Sequence, residues 1–285
     1  MTLSAFGSGT TFDGGRYRAG EILRGHSVHG VRSGVRTVDG HRVLITIRLR
    51  HWTEDVAEEL RLNVPGIAPL LFVGAPDTYV PPKVPTTGGT LGVVIESRPP
   101  GTVLSDLATQ LDDLALVRIG IGLFSIVAAG NLATPILGIR PETTYVSMDS
   151  AGPSVSGIAP RSIRILSHHH DGYARAFEHS YLAPELYSSG DASSTSDLFS
   201  AALTLWSAFT GAHAYRVSPD DVDEDVMAAD DRGPFPGSPE LAAILEPILV
   251  AEPSKRPSVA EVKARMDDLG RRWGVVAPLF PPPAP

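Results

Sequence analysis

The residues best suited to metal binding lie in a histidine-rich segment in the second half of the chain. A run of histidines, His168–His170, is followed directly by Asp171 and later by His179. Imidazole and carboxylate groups are ordinary zinc ligands. Adjacent residues of an extended strand point to opposite sides, however, so at most two of the three consecutive histidines could reach one ion. We therefore do not predict a metal site in this segment.

An acidic cluster follows further along the chain, in Asp220–Asp225 and Asp230–Asp231. The cluster lacks the glycine and the terminal glutamate that a calcium-binding loop carries at fixed positions. We interpret it as a solvated loop whose charge could steer a basic partner towards the protein.

A third segment could approach phosphate groups. Gly25 and Gly30 flank a short stretch with Ser27 in its middle, and a glycine-rich turn can bring backbone N–H groups close to phosphate oxygens. His26 and His29 add bulk at the same place. A single pair of glycines at this spacing is equally typical of a hairpin turn. We favour the hairpin turn and treat this segment as a degenerate candidate for cofactor binding.

The composition excludes several classes of function. The chain has 285 residues, of which 42% are apolar and 20% are charged, as in globular proteins. Its formal net charge of −8 argues against general binding to nucleic acids or to anionic membranes. The absence of cysteine excludes disulfides, thiolate zinc sites, iron–sulfur clusters and a cysteine nucleophile. Only 3 of the 24 basic residues are lysines, and the first of them is Lys83.

One stretch is long enough to cross a membrane. Residues from Ile119 to Ile139 carry no charge, and about twenty apolar residues can span a bilayer. Asn131, Thr134 and Pro135 interrupt the stretch, which favours a buried helix followed by a turn. The N-terminus has no basic start and no apolar run. The sequence therefore predicts a cytoplasmic protein without direct membrane insertion.

The elements that position these residues indicate the α+β class, with a β-rich half before a helical half. We predict a flexible N-terminal segment at 1–14, a β-rich lobe at 15–97, a helical lobe at 98–273 and a proline-rich tail at 274–285. The predicted strands are Arg42–Leu49, Leu91–Glu96, Tyr145–Met148 and Ser162–Leu166, with a further apolar segment at Ile67–Val73. The predicted helices are Glu54–Leu62, Leu104–Leu111, Leu114–Leu132, Asp197–Thr210, Pro239–Val250 and Ser258–Leu269.

Three short motifs of the helical half resemble motifs of protein kinases, in the same order and at similar spacing. They are Tyr181-Leu-Ala-Pro-Glu185, then Ser196-Asp197-Leu-Phe-Ser200, and last Glu252-Pro-Ser-Lys-Arg256-Pro-Ser258. The resemblance is to the bacterial serine/threonine kinases, covers about residues 16–269 and implies a two-lobed protein-kinase-like fold. It also implies that Glu185 pairs with Arg256. Asp197, at the start of a helix, suits a structural role because a carboxylate there can accept backbone N–H bonds.

The resemblance also locates the positions that carry catalysis in protein kinases, and here each holds a different residue. Thr46 stands at the position of the strand lysine. With Arg140–Glu142 as the anchor, Gly138 stands for the catalytic aspartate and Thr143 for the metal-binding asparagine. Ser167 stands for the metal-binding aspartate, after the last predicted strand. Phosphoryl transfer depends on these groups to position Mg²⁺, ATP and the attacking hydroxyl.

The sequence therefore predicts a pseudokinase, a catalytically inactive regulatory or scaffolding domain that binds protein partners. We expect no cofactor, no metal, no nucleic-acid partner, and weak or absent ATP binding. Two alternatives stay open. One is an atypical ATP-binding kinase or transferase that uses Arg48, Glu142 and a histidine or Asp171. The other is a nucleotide or ligand sensor without catalysis.

Overall fold

The structure is a computed structural model that describes residues 8–25, 30–49, 64–74, 91–107, 111–130, 135–160, 181–188, 192–215 and 232–275. The chain divides into two compact units. The sheet unit contains the described residues up to Arg98 except 64–67, and the helical unit contains 64–67 and the described residues from Pro99 onwards. The first is built on an antiparallel sheet and the second is mainly helical, so the predicted α+β class is confirmed.

Six antiparallel strands are described in the sheet unit. They are β1 Thr11–Phe12, β2 Tyr17–Gly25, β3 Gly30–Arg36, β4 Arg42–Leu49, β5 Leu70–Gly74 and β6 Leu91–Ser97. Their order in the sheet is β1-β2-β3-β4-β6-β5. β4 begins and ends at the predicted residues, because β-branched side chains fill its centre and a turn with Gly40 at φ 72° precedes it.

The hydrophobic core of the sheet unit lies against alternate residues of the central strands. Val43, Ile45 and Ile47 of β4 are almost fully buried there, together with Val93 and Ile95 of β6. Side chains two residues apart on a strand point to the same face, so this spacing directs one face of β4 into the core.

The first strand corrects the prediction of a flexible segment at 1–14. Within its described part, Thr11 pairs with Arg18 and Phe12 pairs with Tyr17. Phe12 is completely buried and belongs to the core of the sheet unit. The glycine- and threonine-rich composition of this segment is typical of a loop and gave no sign of a strand. The burial of the Phe12 ring holds the strand in place nonetheless.

The helical unit contains longer helices that match the predicted ones within a few residues. Its described α-helices are α1 Asp113–Gly130, α2 Glu185–Ser188, α3 Ser194–Thr210, α4 Pro239–Leu245 and α5 Val259–Arg272, and its described 3₁₀ turns are Leu104–Leu107, Glu246–Ile248 and Pro253–Lys255. α1 packs against both α3 and α5. Ser238 and Ser258 cap α4 and α5, each accepting a hydrogen bond from a backbone N–H three residues on.

A small three-stranded sheet in the helical unit corrects a second prediction. Its strands are β7 Thr102–Val103, β8 Thr144–Asp149 and β9 Gly152–Ile158, in the order β7-β8-β9. β8 was predicted, but β9 occupies a stretch that we predicted as a loop. The turn between the two strands is formed by the Asp149 side chain, which accepts a hydrogen bond from the Ala151 N–H at 2.8 Å.

Several predicted features lie outside the described residues. They are the helix Glu54–Leu62, the strand Ser162–Leu166, the histidine-rich segment His168–His179, the acidic loop Asp220–Asp231 and all but the first two residues of the tail 274–285. Among the helices described, α1 alone is long and apolar enough to cross a membrane, and 67% of it is buried inside the protein. The core helix of a globular unit has the same properties.

Truncating Phe12 tests whether the N-terminal strand is part of the core. We expect Phe12→Ala to lower the free energy of unfolding by about 3–5 kcal/mol, because it removes a fully buried ring and leaves a cavity. Urea denaturation followed by circular dichroism measures the change. Val38→Ala, at a side chain that is 81% exposed, is the control and should leave the midpoint unchanged. An equal midpoint for both variants would contradict the placement of Phe12.

Candidate functional site

The candidate site is the loop Ile136–Thr143 of the helical unit, here called the central loop. Its first two residues are held by Asp197 in the first turn of α3. The Asp197 carboxylate accepts hydrogen bonds from the backbone N–H of Ile136 at 2.6 Å and of Leu137 at 2.8 Å. Asp197 is 2% exposed, so the two bonds are made away from water and fix where the loop begins.

Directly after this anchor the backbone turns through a left-handed conformation. Leu137 has φ 44° and Gly138 has φ 99°. Side chains rarely adopt such values, since the Cβ atom crowds the neighbouring backbone. Glycine therefore fits at 138, and an aspartate at this position would have to adopt a strained backbone.

Thr143 closes the central loop from its other end. Its hydroxyl donates a hydrogen bond to the carbonyl oxygen of Gly138 at 2.6 Å and accepts one from the Arg140 N–H at 3.2 Å. Thr143 is 2% exposed. The Thr143 hydroxyl therefore makes its hydrogen bonds within the loop itself.

The hairpin β8–β9 brings another residue next to Thr143. The N–H of Ala159, the first residue after β9, donates a hydrogen bond to the Thr143 carbonyl at 2.9 Å. We predicted Ser167 at the position following the second strand, but Ser167 lies outside the described residues and the observed strand ends at Ile158. The assignment of Ser167 therefore stays a prediction, and Ala159 is the residue that follows β9. Asp149 and Gly152 flank the turn of the β8–β9 hairpin. Both residue types are common in turns, so they could have revealed the hairpin from the sequence.

Charged and aromatic groups surround the second half of the central loop. Arg140 is buried and forms an ion pair with Glu142, with 2.9 Å between Nε and Oε2. Burial, reinforced by the negative charge of Glu142, raises the pKa of the Tyr181 hydroxyl to about 12. The Tyr181 ring packs edge-on against His213, with 5.2 Å between ring centres. The Tyr181 hydroxyl is therefore in its neutral form at physiological pH.

Glu185 and Arg256, which the sequence analysis paired, lie together in the helical unit. Two parallel hydrogen bonds of 2.8 Å join the guanidinium to both carboxylate oxygens. The Arg256 side chain has no exposed surface and also donates to the carbonyls of Val250 and Ala251. Ser196 donates a further hydrogen bond of 2.7 Å to Glu185. This is a structural clamp between α2, the start of α3 and the segment before α5.

Thr46, the fourth candidate position, lies in the sheet unit at the centre of β4. It is 1% exposed and pairs in register with Val31 and Val94, and its hydroxyl has no hydrogen-bond partner among the described residues. Gly25, the last residue of β2, pairs with Gly30, the first residue of β3, which fits a hairpin, while Ser27 lies outside the described residues. Within the described part of the chain, no three His, Asp or Glu side chains could hold a metal ion together.

Comparison with known proteins found no family model that matches the chain and no curated protein with a significantly similar sequence. The function is therefore argued from the geometry and from the sequence motifs alone.

Removing the Asp197 carboxylate should loosen the central loop. Each buried backbone donor left without a partner costs about 1–3 kcal/mol, so we expect Asp197→Ala to lower the free energy of unfolding by about 2–5 kcal/mol. Asp197→Asn keeps one acceptor oxygen and should lose less. Glu240→Ala, an exposed acidic residue in the first turn of α4, controls for the helix dipole. Chemical denaturation of all three variants measures their losses of unfolding free energy. A loss in Asp197→Ala no greater than in Glu240→Ala would contradict the role of Asp197 as the anchor of the loop.

The clamp also predicts a pH dependence. Burial alone would raise the pKa of Glu185, but hydrogen bonds from Arg256 and Ser196 outweigh it and hold the pKa below the ordinary 4.5. In the unfolded chain the pKa of Glu185 is about 4.5, and in the folded protein it is lower. The stabilisation from ionised Glu185 is therefore present above about pH 4.5 and is lost as the pH falls through the pKa of the folded state.

We expect Glu185→Gln to cost about 1–3 kcal/mol at pH 7, as for hydrogen bonds to charged groups. The stability difference between parent and variant should shrink from pH 4.5 downwards. Urea titrations at pH 7, 5, 4 and 3 measure it. A difference that stays constant over this range would show that the charge of Glu185 plays no part.

Proposed function

We propose that this chain is a pseudokinase, a protein with a protein-kinase-like fold that acts by binding protein partners and does not transfer phosphate. The proposal begins with three sequence motifs that occur in the order found in protein kinases. It is supported by contacts that residues of all three motifs make, since Glu185 clamps Arg256 and Asp197 anchors the central loop.

The arrangement of the sheet unit is compatible with the small lobe of this fold. Its strands β2, β3 and β4 are consecutive antiparallel neighbours, and β6 lies between β4 and β5. The helical unit adds a β-hairpin directly after the central loop. These features support the fold assignment independently of the motifs, because they depend on strand pairing and not on residue identity.

The single observation that carries the proposal is the chemistry of the central loop. Phosphoryl transfer needs a base near the hydroxyl and oxygen ligands for Mg²⁺. Here the base position is Gly138, in a backbone conformation that strains an aspartate. The asparagine position is Thr143, whose hydroxyl is buried in a loop contact, and the residue after β9 is Ala159. Gly138 has no side chain that could act as a base, and the Thr143 hydroxyl already donates its hydrogen bond within the loop.

The sheet unit is consistent with the same conclusion. The lysine position holds Thr46, buried between Val31 and Val94. A threonine there contributes packing, whereas a lysine would bring a positive charge to ATP. With catalysis removed, recognition of other proteins is the function that a kinase-like scaffold retains.

A phosphoryl-transfer assay tests the proposal. We expect no incorporation of ³²P from γ-labelled ATP into the chain or into a generic protein substrate, with Mg²⁺ or Mn²⁺, because Gly138 and Thr143 stand at the positions of the base and of a metal ligand. Gly138→Asp should not create activity, since the substituted backbone is strained. An active protein kinase under the same conditions is the positive control.

The decisive variant for this assay is Glu142→Ala, which removes the carboxylate of the Arg140 ion pair. Transfer by the parent that survives further purification and disappears in Glu142→Ala would overturn the proposal. It would favour instead a kinase or transferase with a rewired site.

A further inference from the structure

Three arginines lie in one row across four adjacent strands of the sheet unit. Arg18 of β2 pairs with Val35 of β3, and Val35 pairs with Arg42 of β4. Arg98, directly after β6, donates its backbone N–H to the Arg42 carbonyl at 3.0 Å. Residues opposite each other in antiparallel strands project from the same face. The row therefore reads arginine, valine, arginine, arginine on one face of the sheet.

This row lines a pocket with a volume of about 510 Å³. Gly20 and Ser33, one step further along β2 and β3 on the same face, line it as well. A Cβ atom at Gly20 would lie 2.6 Å from the Ser33 hydroxyl oxygen, so a glycine keeps this part of the pocket open. The volume is in the range of sites that bind small molecules.

The charges in the row are unbalanced within the described part of the chain. Like charges directly opposite each other in a sheet are destabilising. The side chains of Arg18 and Arg42 make no hydrogen bond or ion pair with any described residue, and both are exposed. Glu96 projects from the same face one step beyond Arg98, opposite Leu44. The exposed guanidinium groups of Arg18 and Arg42 therefore carry charge that no described residue balances, in a chain whose net charge is −8.

We propose that this pocket binds a small molecule with two phosphate groups. Guanidinium groups recognise phosphate through paired hydrogen bonds. Neighbouring strands lie about 4.8 Å apart, and the exposed Arg42 can hold one of the two phosphate groups. Arg18, two strands from Arg42 and about 10 Å away at the backbone, can reach a second group.

The pocket is separate from Gly25 and Thr46, which stand at positions that contact the nucleotide in protein kinases. Arg18 lies at the opposite end of β2 from Gly25, and Arg42 lies at the start of β4, four residues before Thr46. At about 3.3 Å per residue, the latter separation is about 13 Å. The inference does not depend on the proposed pseudokinase function, and an inactive or an active chain could carry this site.

Calorimetric titration with two probes tests the proposal, using the full chain at constant ionic strength so that screening is equal throughout. Inorganic pyrophosphate presents adjacent phosphate groups, and fructose 1,6-bisphosphate presents separated groups on an organic molecule. We expect at least one to bind and to raise the melting temperature. Arg18→Gln and Arg42→Gln should each weaken binding about tenfold to a hundredfold, as when a charged hydrogen bond is lost.

Arg271→Gln is the matched control, because it removes one positive charge at an exposed helix end in the helical unit. It should change the affinity less than twofold. Without ligand, Arg42→Gln should melt at or above the parent temperature, since it relieves like-charge repulsion. A purely structural arginine would give the opposite result.

A substitution between the arginines provides an independent check. Val35→Glu places a carboxylate opposite both Arg18 and Arg42, so it should abolish binding of either probe while keeping or raising the melting temperature. Val35→Gln, without the charge, should retain binding. The proposal is overturned if neither probe binds the parent, if Arg18→Gln and Arg42→Gln bind as the parent does, or if Val35→Glu still binds.

Discussion

The buried carboxylate of Asp197 is the contact on which the path of the central loop depends. It satisfies two backbone donors, those of Ile136 and Leu137, that are about sixty residues away in sequence. With the first two residues of the loop fixed, the chain passes through a left-handed turn and returns to Thr143, whose hydroxyl closes the loop. The Thr143 carbonyl then receives the Ala159 N–H and so attaches the hairpin. A single acidic residue at the start of α3 therefore determines the placement of two further segments.

The first turn of α3 carries a second anchor beside the first. Ser196, adjacent to Asp197, accepts a hydrogen bond from the N–H of Ser193 and donates one to Glu185. Glu185 in turn neutralises Arg256, whose remaining donors reach backbone carbonyls before α5. Breaking such a pair from one side leaves a buried charge, which is why both partners are needed. Consecutive residues of one helix thus connect three segments, and every polar group involved is engaged in the fold.

The sequence was most informative where local pattern and burial agree. β4 and the cores of the longer helices follow from β-branched runs and apolar stretches, and the motifs around Glu185 and Asp197 identified residues that the structure brings into contact. β9 and β1 were missed for one physical reason. Gly152–Ile158 and Thr11–Phe12 are strands because they pair with β8 and β2, and pairing between segments overrides a composition that favours loops. The arginine row was missed likewise, since strand register brings together residues that are far apart in sequence.

The central loop and the arginine row differ in how their polar groups are used. In the loop, the polar groups of Thr143 and Asp197 are paired with backbone atoms of the same unit. In the row, no described residue balances the charges of Arg18 and Arg42, although a carboxylate in place of Val35 would do so. Local arrangements that lower stability without a structural gain are expected at sites of function. A valine between two arginines keeps positive charge available to another molecule, as the proposed phosphate site requires.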